Sequence, residues 1–467
     1  MSIRRPVAAI VVVVLALGLV PALGTAPALA DDAVRTPSNG EYSYDLGVSH
    51  RARRWSGSGS VTFENTGTEP LDVVWFRLWA NSTGGCGDPA IGVSDVTGGS
   101  AGDLAVACTA LPVTLDAPLV PGGTATIGFT LEIDVPERND RFGWYRKTVR
   151  MGNALPILAV HDDQEGWHLD PPFSGGESFF SLVADWRVTL HVPVRMETPT
   201  TGVLEDLATD GRDREARTFF ANDVRDFAWE AGDFEIVRAR DRRTVFVRLW
   251  YPPWLLERRR AERLVRTSAH IMDTFSSAFG AYPYHEVDIV ITTFDGFGGM
   301  EYPNLVMSIP DPLVISHELA HQWWYGIVGN DQYEDPWIDE GFAQWSQFLP
   351  FDRLPGRRWP PLPFVGCSMF EWPDGDVRLS SGIDYFSAHP LEYWVPYWQG
   401  ACALARLAKE FGGLEPFLEV LREYAADHWS GVATNQDVMD HLAAAAAAAG
   451  IEFDPGTFFD RWRISRP

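Results

Sequence analysis

From Tyr42 to about Arg240 the chain carries short runs in which apolar and polar side chains alternate: SGSVTFEN at 58–65, LDVVWFRLWA at 71–80, TATIGFTLEIDV at 124–135 and DWRVTLHVPV at 185–194. Clusters of Gly, Pro, Asn and Asp separate them. A period of two buries one face of a strand, and such clusters supply the turns between strands. No long helical pattern interrupts the series, so an all-β domain of sandwich or saddle type is predicted. After Pro253 the period changes. Residues 254–280, WLLERRRAERLVRTSAHIMDTFSSAFG, place apolar side chains at helical spacing and end at Gly280 ahead of Pro283, a helix with its stop signal. A strand VDIVITTF follows at 287–294, then the loop DGFGGMEYPN and a second strand LVMSI at 305–309. Asp311 and Pro312 are suited to cap and start a helix running through VISHELAHQWW, residues 314–324. Further helices are predicted at 337–349, 397–411, 415–427 and 435–449, the last an alanine run closed by Gly450. The sequence has no internal repeat.

The first thirty residues follow another logic. Arg4 and Arg5 precede an apolar run from Val7 to Val20, and the small-residue ending Ala28-Leu29-Ala30 precedes two aspartates. That order predicts a secretory signal peptide, residues 1–30, cleaved after Ala30, in preference to a retained membrane anchor. No later stretch is apolar enough to span a bilayer, so the mature chain is expected to be exported and free of the membrane. In an oxidising compartment four cysteines pair by default; the two local pairings, Cys86 with Cys108 and Cys367 with Cys402, keep each bridge within one domain.

Composition changes the picture in two ways. At 467 residues, with 46% apolar residues and 19 tryptophans, the chain is long enough for two large cores. Its charge is strongly acidic: without Arg4 and Arg5, 36 basic side chains face 63 acidic ones, a net −27 that argues against nucleic acid or anionic lipid as partners.

Chemistry concentrates in the helix at 314–324. His317 and His321, four apart, project from one helical face and can bind one tetrahedral metal ion, while Glu318, about 100° round the helix, can reach its open position. Eighteen residues separate His321 from Glu340, which lies in the predicted helix WIDEGFAQW. Alone it would read as a solvated helix glutamate; as a third ligand it completes the two-histidine, one-carboxylate set of a catalytic zinc site. Asp335 and Asp339 could orient the ligand histidines, or serve as ordinary acids of a helix N-terminus.

These motifs, with GGMEYPN at 298–304 and the segment around Tyr397 in WVPYWQGACALARL, resemble the aminopeptidase N family of zinc metallopeptidases, the gluzincins that include the leukotriene hydrolase branch. The likeness extends from about Glu41 to the end of the chain, and the preference for arginine over lysine fits a short, secreted bacterial member. The resemblance implies an N-terminal all-β saddle domain, residues 31–240, followed by a thermolysin-like α/β catalytic domain ending in helices, residues 241–467, without the helical domain that usually follows. It implies one zinc ion per chain on His317, His321 and Glu340, with Glu318 as general base. Tyr397, ahead of its neighbour Tyr393, is expected to stabilise the oxyanion. Glu301, with Gly298, Gly299 and Met300, is expected to bind the free α-amino group of a peptide. Tyr302 stands where the family carries asparagine. A partner for Glu301 is expected from the β domain, where HDDQEGW offers Asp163, Gln164 and Glu165.

The leading expectation is a secreted zinc aminopeptidase acting on peptides with a free N-terminus. Two other readings stay open: another hydrolase on the same site, an endopeptidase or epoxide hydrolase, and a catalytically silent binding protein. The intact set of His317, Glu318, His321 and Glu340 argues against the last.

Overall fold

The alternating pattern folds as the period demands. In the strand Ser38–Val48, Tyr42, Tyr44, Leu46 and Val48 are buried and the polar residues between them face outward. The same register buries Trp186, Val188, Leu190 and Val192 of Ala184–Pro193, and Ile127, Phe129, Leu131 and Ile133 of Thr124–Asp134. In this computed structural model, which describes residues 34–49, 52–173, 175–243, 245–351, 367 and 371–465, these strands lie in one seven-stranded sheet. The segment read as a signal peptide falls outside the described residues. The sheet order is Val203–Thr209, Arg214–Val224, Ala184–Pro193, Ser38–Val48, Arg54–Glu64, Thr124–Asp134, Ile91–Thr97. Only Ser38–Val48 and Ala184–Pro193 pair in parallel, with Tyr42 opposite Trp186 and their rings stacked 4.1 Å apart. Further sheets built on Leu71–Arg77 and Thr148–Met151 close over the same apolar core.

The architecture changes between Gly232 and Glu235, a few residues before the expected boundary at 240. The hairpin Glu235–Arg240 and Phe246–Tyr251 reads as more of the preceding strands, yet it pairs into a five-stranded sheet with Glu286–Ile291, Leu305–Ser308 and the short edge strand Gly299–Met300. Helices α1 (Arg258–Phe279), α2 (Pro312–Ala320) and α3 (Pro336–Ser346) follow, then α4 (Ile383–Ala388), α5 (Trp394–Glu410), α6 (Leu414–Asp427), α7 (Asn435–Ala449) and α8 (Pro455–Arg461). The chain is thus a β-rich half followed by an α/β half that ends in helices.

Several boundaries shift for local reasons. α1 starts at Arg258 rather than at 254 because Pro252 and Pro253 feed a turn in which the Leu255 amide donates to the Pro252 carbonyl at 2.9 Å. α2 begins where its cap predicts, Asp311 Oδ1 accepting from the amides of Leu313 and Val314, but ends at Ala320 instead of running to 324. There the chain tightens: the amides of Trp323 and Trp324 both return to the Ala320 carbonyl. α5 starts three residues before the predicted 397 because Pro396 is tolerated within a first turn. α4 and α8, at 6 and 7 residues, are too short to have stood out as helical periods.

Covalent bridges and one close backbone approach tie elements to one another. Cys86–Cys108 and Cys367–Cys402 are both bridged, in the local pairings expected. α3 and α5 meet at bare backbone: a Cβ on Gly400 would stand 2.7 Å from the Gly341 Cα, closer than packed carbons approach. Among the described residues no helix is long and apolar enough to cross a membrane.

Candidate active site

α2 and α3 bring three donor atoms to one point. His317 Nε2 lies 3.1 Å from Glu340 Oε2, His321 Nε2 lies 3.4 Å from the same oxygen, and the two imidazole nitrogens are 3.2 Å apart. Donors about 2.0–2.1 Å from a shared tetrahedral centre are roughly 3.4 Å from each other, so the set fits a zinc-sized ion. The orientation fits as well. His321 Nδ1 faces the Trp324 carbonyl at 3.0 Å, which fixes its proton there and turns the lone pair of Nε2 toward the other donors. Burial pushes the Glu340 carboxyl up, but hydrogen bonds with His317 and His321 outweigh it and hold the group below the usual carboxylate range.

The carboxylates around this cluster differ in role. Glu318, one residue past His317, is buried, and that burial together with the charge of Glu301 pushes its carboxyl well up. The edge strand passes so close that a Cβ on Gly299 would fall 2.4 Å from Glu318 Oε1; only glycine leaves room for that carboxylate. Glu301 is 4% exposed and faces the same cavity of about 760 Å³ as His317, Glu318, His321 and Glu340. Gly298 and Gly299 line that cavity too. Met300 does not: alternation along the edge strand turns it into a core with Val290, Leu305 and Met307, so its expected place among the substrate contacts is corrected.

The β-rich half supplies a carboxylate, but not one of those expected. Asp163, Gln164 and Glu165 are exposed and absent from the cavity wall, because their hairpin turns them outward. Glu177 lines it instead. Burial pushes its carboxyl up to about 7 against the opposing pull of Arg141, whose Nη2 pairs with Glu177 Oε1 at 2.9 Å. Its sequence signal, a glutamate set between Gly175-Gly176 and Phe179-Phe180 in an apolar stretch, was there to be noticed.

The tyrosines separate clearly. Tyr397 Oη donates to Glu340 Oε1 at 2.7 Å and lines the cavity; Tyr393 packs instead against Phe173, ring centres 5.2 Å apart, beneath Gly176. Neither Asp335 nor Asp339 bonds a ligand histidine. Asp335 accepts from Asn435 on α7, and Asp339 accepts from Gln332 at 2.8 Å, since the Trp324 carbonyl already holds His321.

Comparison with known sequences adds to this geometry. The profile of the peptidase family M1 domain matches residues 264–365, the stretch that holds Glu301, His317, Glu318, His321 and Glu340. Residues 264–365 are thus similar to the peptidase family M1 domain. The chain is similar to the thyrotropin-releasing hormone-degrading ectoenzyme of Homo sapiens, 24% identical over 269 residues, which cover 51% of this chain and 24% of that one. It is similar also to aminopeptidase B of Mus musculus, 25% identical over 240 residues, 46% of this chain and 36% of the relative. Aminopeptidase N of Rattus norvegicus is 29% identical over 143 residues, 27% of this chain and 15% of that protein. The matched stretch therefore spans about a quarter of the first relative's length.

Proposed function

We propose that this protein is an exported zinc aminopeptidase that hydrolyses the first peptide bond of peptides with a free N-terminus. The observation that carries the reading is the convergence, in one cavity, of the His317, His321 and Glu340 donors with Glu318 and the buried Glu301. The leader-like pattern at 1–30 and the two disulfides support export. We assign the strands up to Gly232 to the β-saddle and the chain from Glu235, a few residues ahead of the expected 240/241 boundary, to the catalytic domain.

Bound by His317, His321 and Glu340, zinc would supply a Lewis acid for the scissile carbonyl and lower the pKa of the attacking water. Glu318 would accept that water's proton and return it to the leaving amine nitrogen. Tyr397 would turn its hydroxyl from Glu340 to the developing oxyanion, a donation that can be worth about 3 kcal/mol. Glu301 makes the reaction exopeptidic. Its carboxylate and that of Glu177 would pair with the substrate ammonium and fix the distance from the first residue to the catalytic groups. Arg141 holds Glu177 in place.

Digestion of an unblocked decapeptide, followed by mass spectrometry, tests the assignment. A ladder of products shortened one residue at a time from the N-terminus, abolished by chelator and restored by zinc, is the expected result. Internal cuts would move the protein to an endopeptidase, and silence from the zinc-loaded chain would leave a binding role.

A further inference from the structure

The carboxylate of Glu301 can measure a substrate only if its own backbone is fixed, and the residue after it is anchored in an unexpected direction. Tyr302 is 2% exposed, and its side chain crosses from the α/β half into the β-rich half. There its hydroxyl donates to Asn153 Oδ1 at 2.7 Å, and Asn153 Nδ2 donates in turn to Asp226 Oδ2 at 2.8 Å. Asp226 is itself held by the Phe227 amide at 2.6 Å. The slot for the ring is made by missing atoms: a Cβ on Gly152 would stand 2.1 Å from Tyr302 Oη. An asparagine at 302 would be too short to reach Asn153.

A second clamp works from the opposite side. Gln322, directly after His321, donates through Nε2 to the carbonyls of Glu301 and Tyr302, each at 3.2 Å, while its Oε1 accepts from the Asn304 amide at 2.8 Å. The peptide between Glu301 and Tyr302 is thus tied at one end to the residue beside a histidine donor and at the other to a buried polar chain in the β-rich half. A fully satisfied buried network of this kind permits one arrangement, because any rotation strands a buried donor or acceptor.

We propose that Tyr302 is a positioning residue for substrate binding: through Asn153 and Asp226 it locks the Glu301 carboxylate at a set distance from the His317, His321 and Glu340 cluster. The proposal rests on the reading of Glu301 as the anchor for the substrate's amino group. It assigns to the Tyr302–Asn153 contact a share of substrate affinity, not of the chemical step.

Tyr302→Phe removes one hydroxyl and keeps the ring in its slot; Asn153→Ala removes the partner and spares the ring. Each variant, the double variant and Glu301→Gln are assayed on a free aminoacyl arylamide, and the dissociation constant of leucinamide is measured by calorimetry on the zinc-loaded protein. KM and the leucinamide constant are expected to rise about five- to tenfold in either single variant, with kcat within about twofold, and the double variant should be no worse than the singles. Unchanged KM and leucinamide binding in Tyr302→Phe and Asn153→Ala, where Glu301→Gln raises both, would overturn the proposal while the amine-anchor reading stands. A lower melting temperature without any change in leucinamide binding overturns it equally, since it reduces Tyr302 to a structural part. If Glu301→Gln itself leaves both constants unchanged, the anchor reading fails and the proposal with it. Should Tyr302→Phe lose the fold, Asn153→Ala carries the same test.

Discussion

At the scale of single residues, the site is a set of groups restrained by their neighbours. His321 is oriented by a backbone carbonyl, the Oε1 of Glu340 accepts from Tyr397, and Glu177 is held by Arg141. Tyr397 is the most exposed to test. Removing its hydroxyl leaves Glu340 bound to both histidines, so the metal donors should survive while oxyanion stabilisation is lost. Tyr397→Phe is expected to lower kcat by about 10²–10³ with zinc content unchanged, read by steady-state kinetics beside metal analysis. The cluster of His317, Glu318 and His321 was legible in the sequence because helical spacing alone puts them together. Glu177 was not, because no periodicity links a loop in the β-rich half to a helix 140 residues later; only the fold makes them neighbours.

At the scale of elements, two contacts decide how the site is held. α3 carries Glu340 and α5 carries Tyr397, and the glycines at 341 and 400 let their axes approach. Gly400→Ala must push the helices apart; a loss of about 1–3 kcal/mol in denaturant unfolding is expected, with a fall in kcat as the hydroxyl of Tyr397 moves from Glu340. The second contact joins the hairpin at 161–167 to the loop that precedes α3. His168 Nε2 lies 2.7 Å from Asp162 Oδ2, and its Nδ1 lies 3.0 Å from Asp331 Oδ2. Burial opposes its charge, but these two carboxylates outweigh burial and raise the imidazole from 6.5 to about 9. A base with a raised folded-state pKa binds more protons when folded, so its contribution is complete below about 6.5 and is lost as pH climbs through about 9. The difference in urea midpoint between wild type and His168→Gln should therefore shrink from pH 6 to pH 10; a difference that grew would refute the ion-pair account. Cap chemistry made several starts readable, such as Asp311-Pro312 for α2. The ends were harder, since His321 to Trp324 carry on a helical pattern that tertiary packing cuts short.

At the scale of the whole molecule, the β-rich half is more than a mount. Its Arg225, 2% exposed, donates to the carbonyls of Ser181 at 3.0 Å and of Tyr325 at 2.8 Å, and also to that of Gly431. It thereby joins the strands to the turn that follows the histidines. Alternation foretold those strands, but not the parallel pairing of Ser38–Val48 with Ala184–Pro193, because partners so far apart in sequence leave no local trace. What the halves make together is a cavity with carboxylates from both, and the central claim is that it selects a charged amine. The most direct measurement is the ratio of kcat/KM for an aminoacyl arylamide and its N-acetylated counterpart. Leaving the buried Glu301 without a cation should cost several kcal/mol, so the free substrate is expected to be favoured by about 10² or more, with turnover lost in Glu318→Gln. Equal turnover of the blocked substrate would contradict the account.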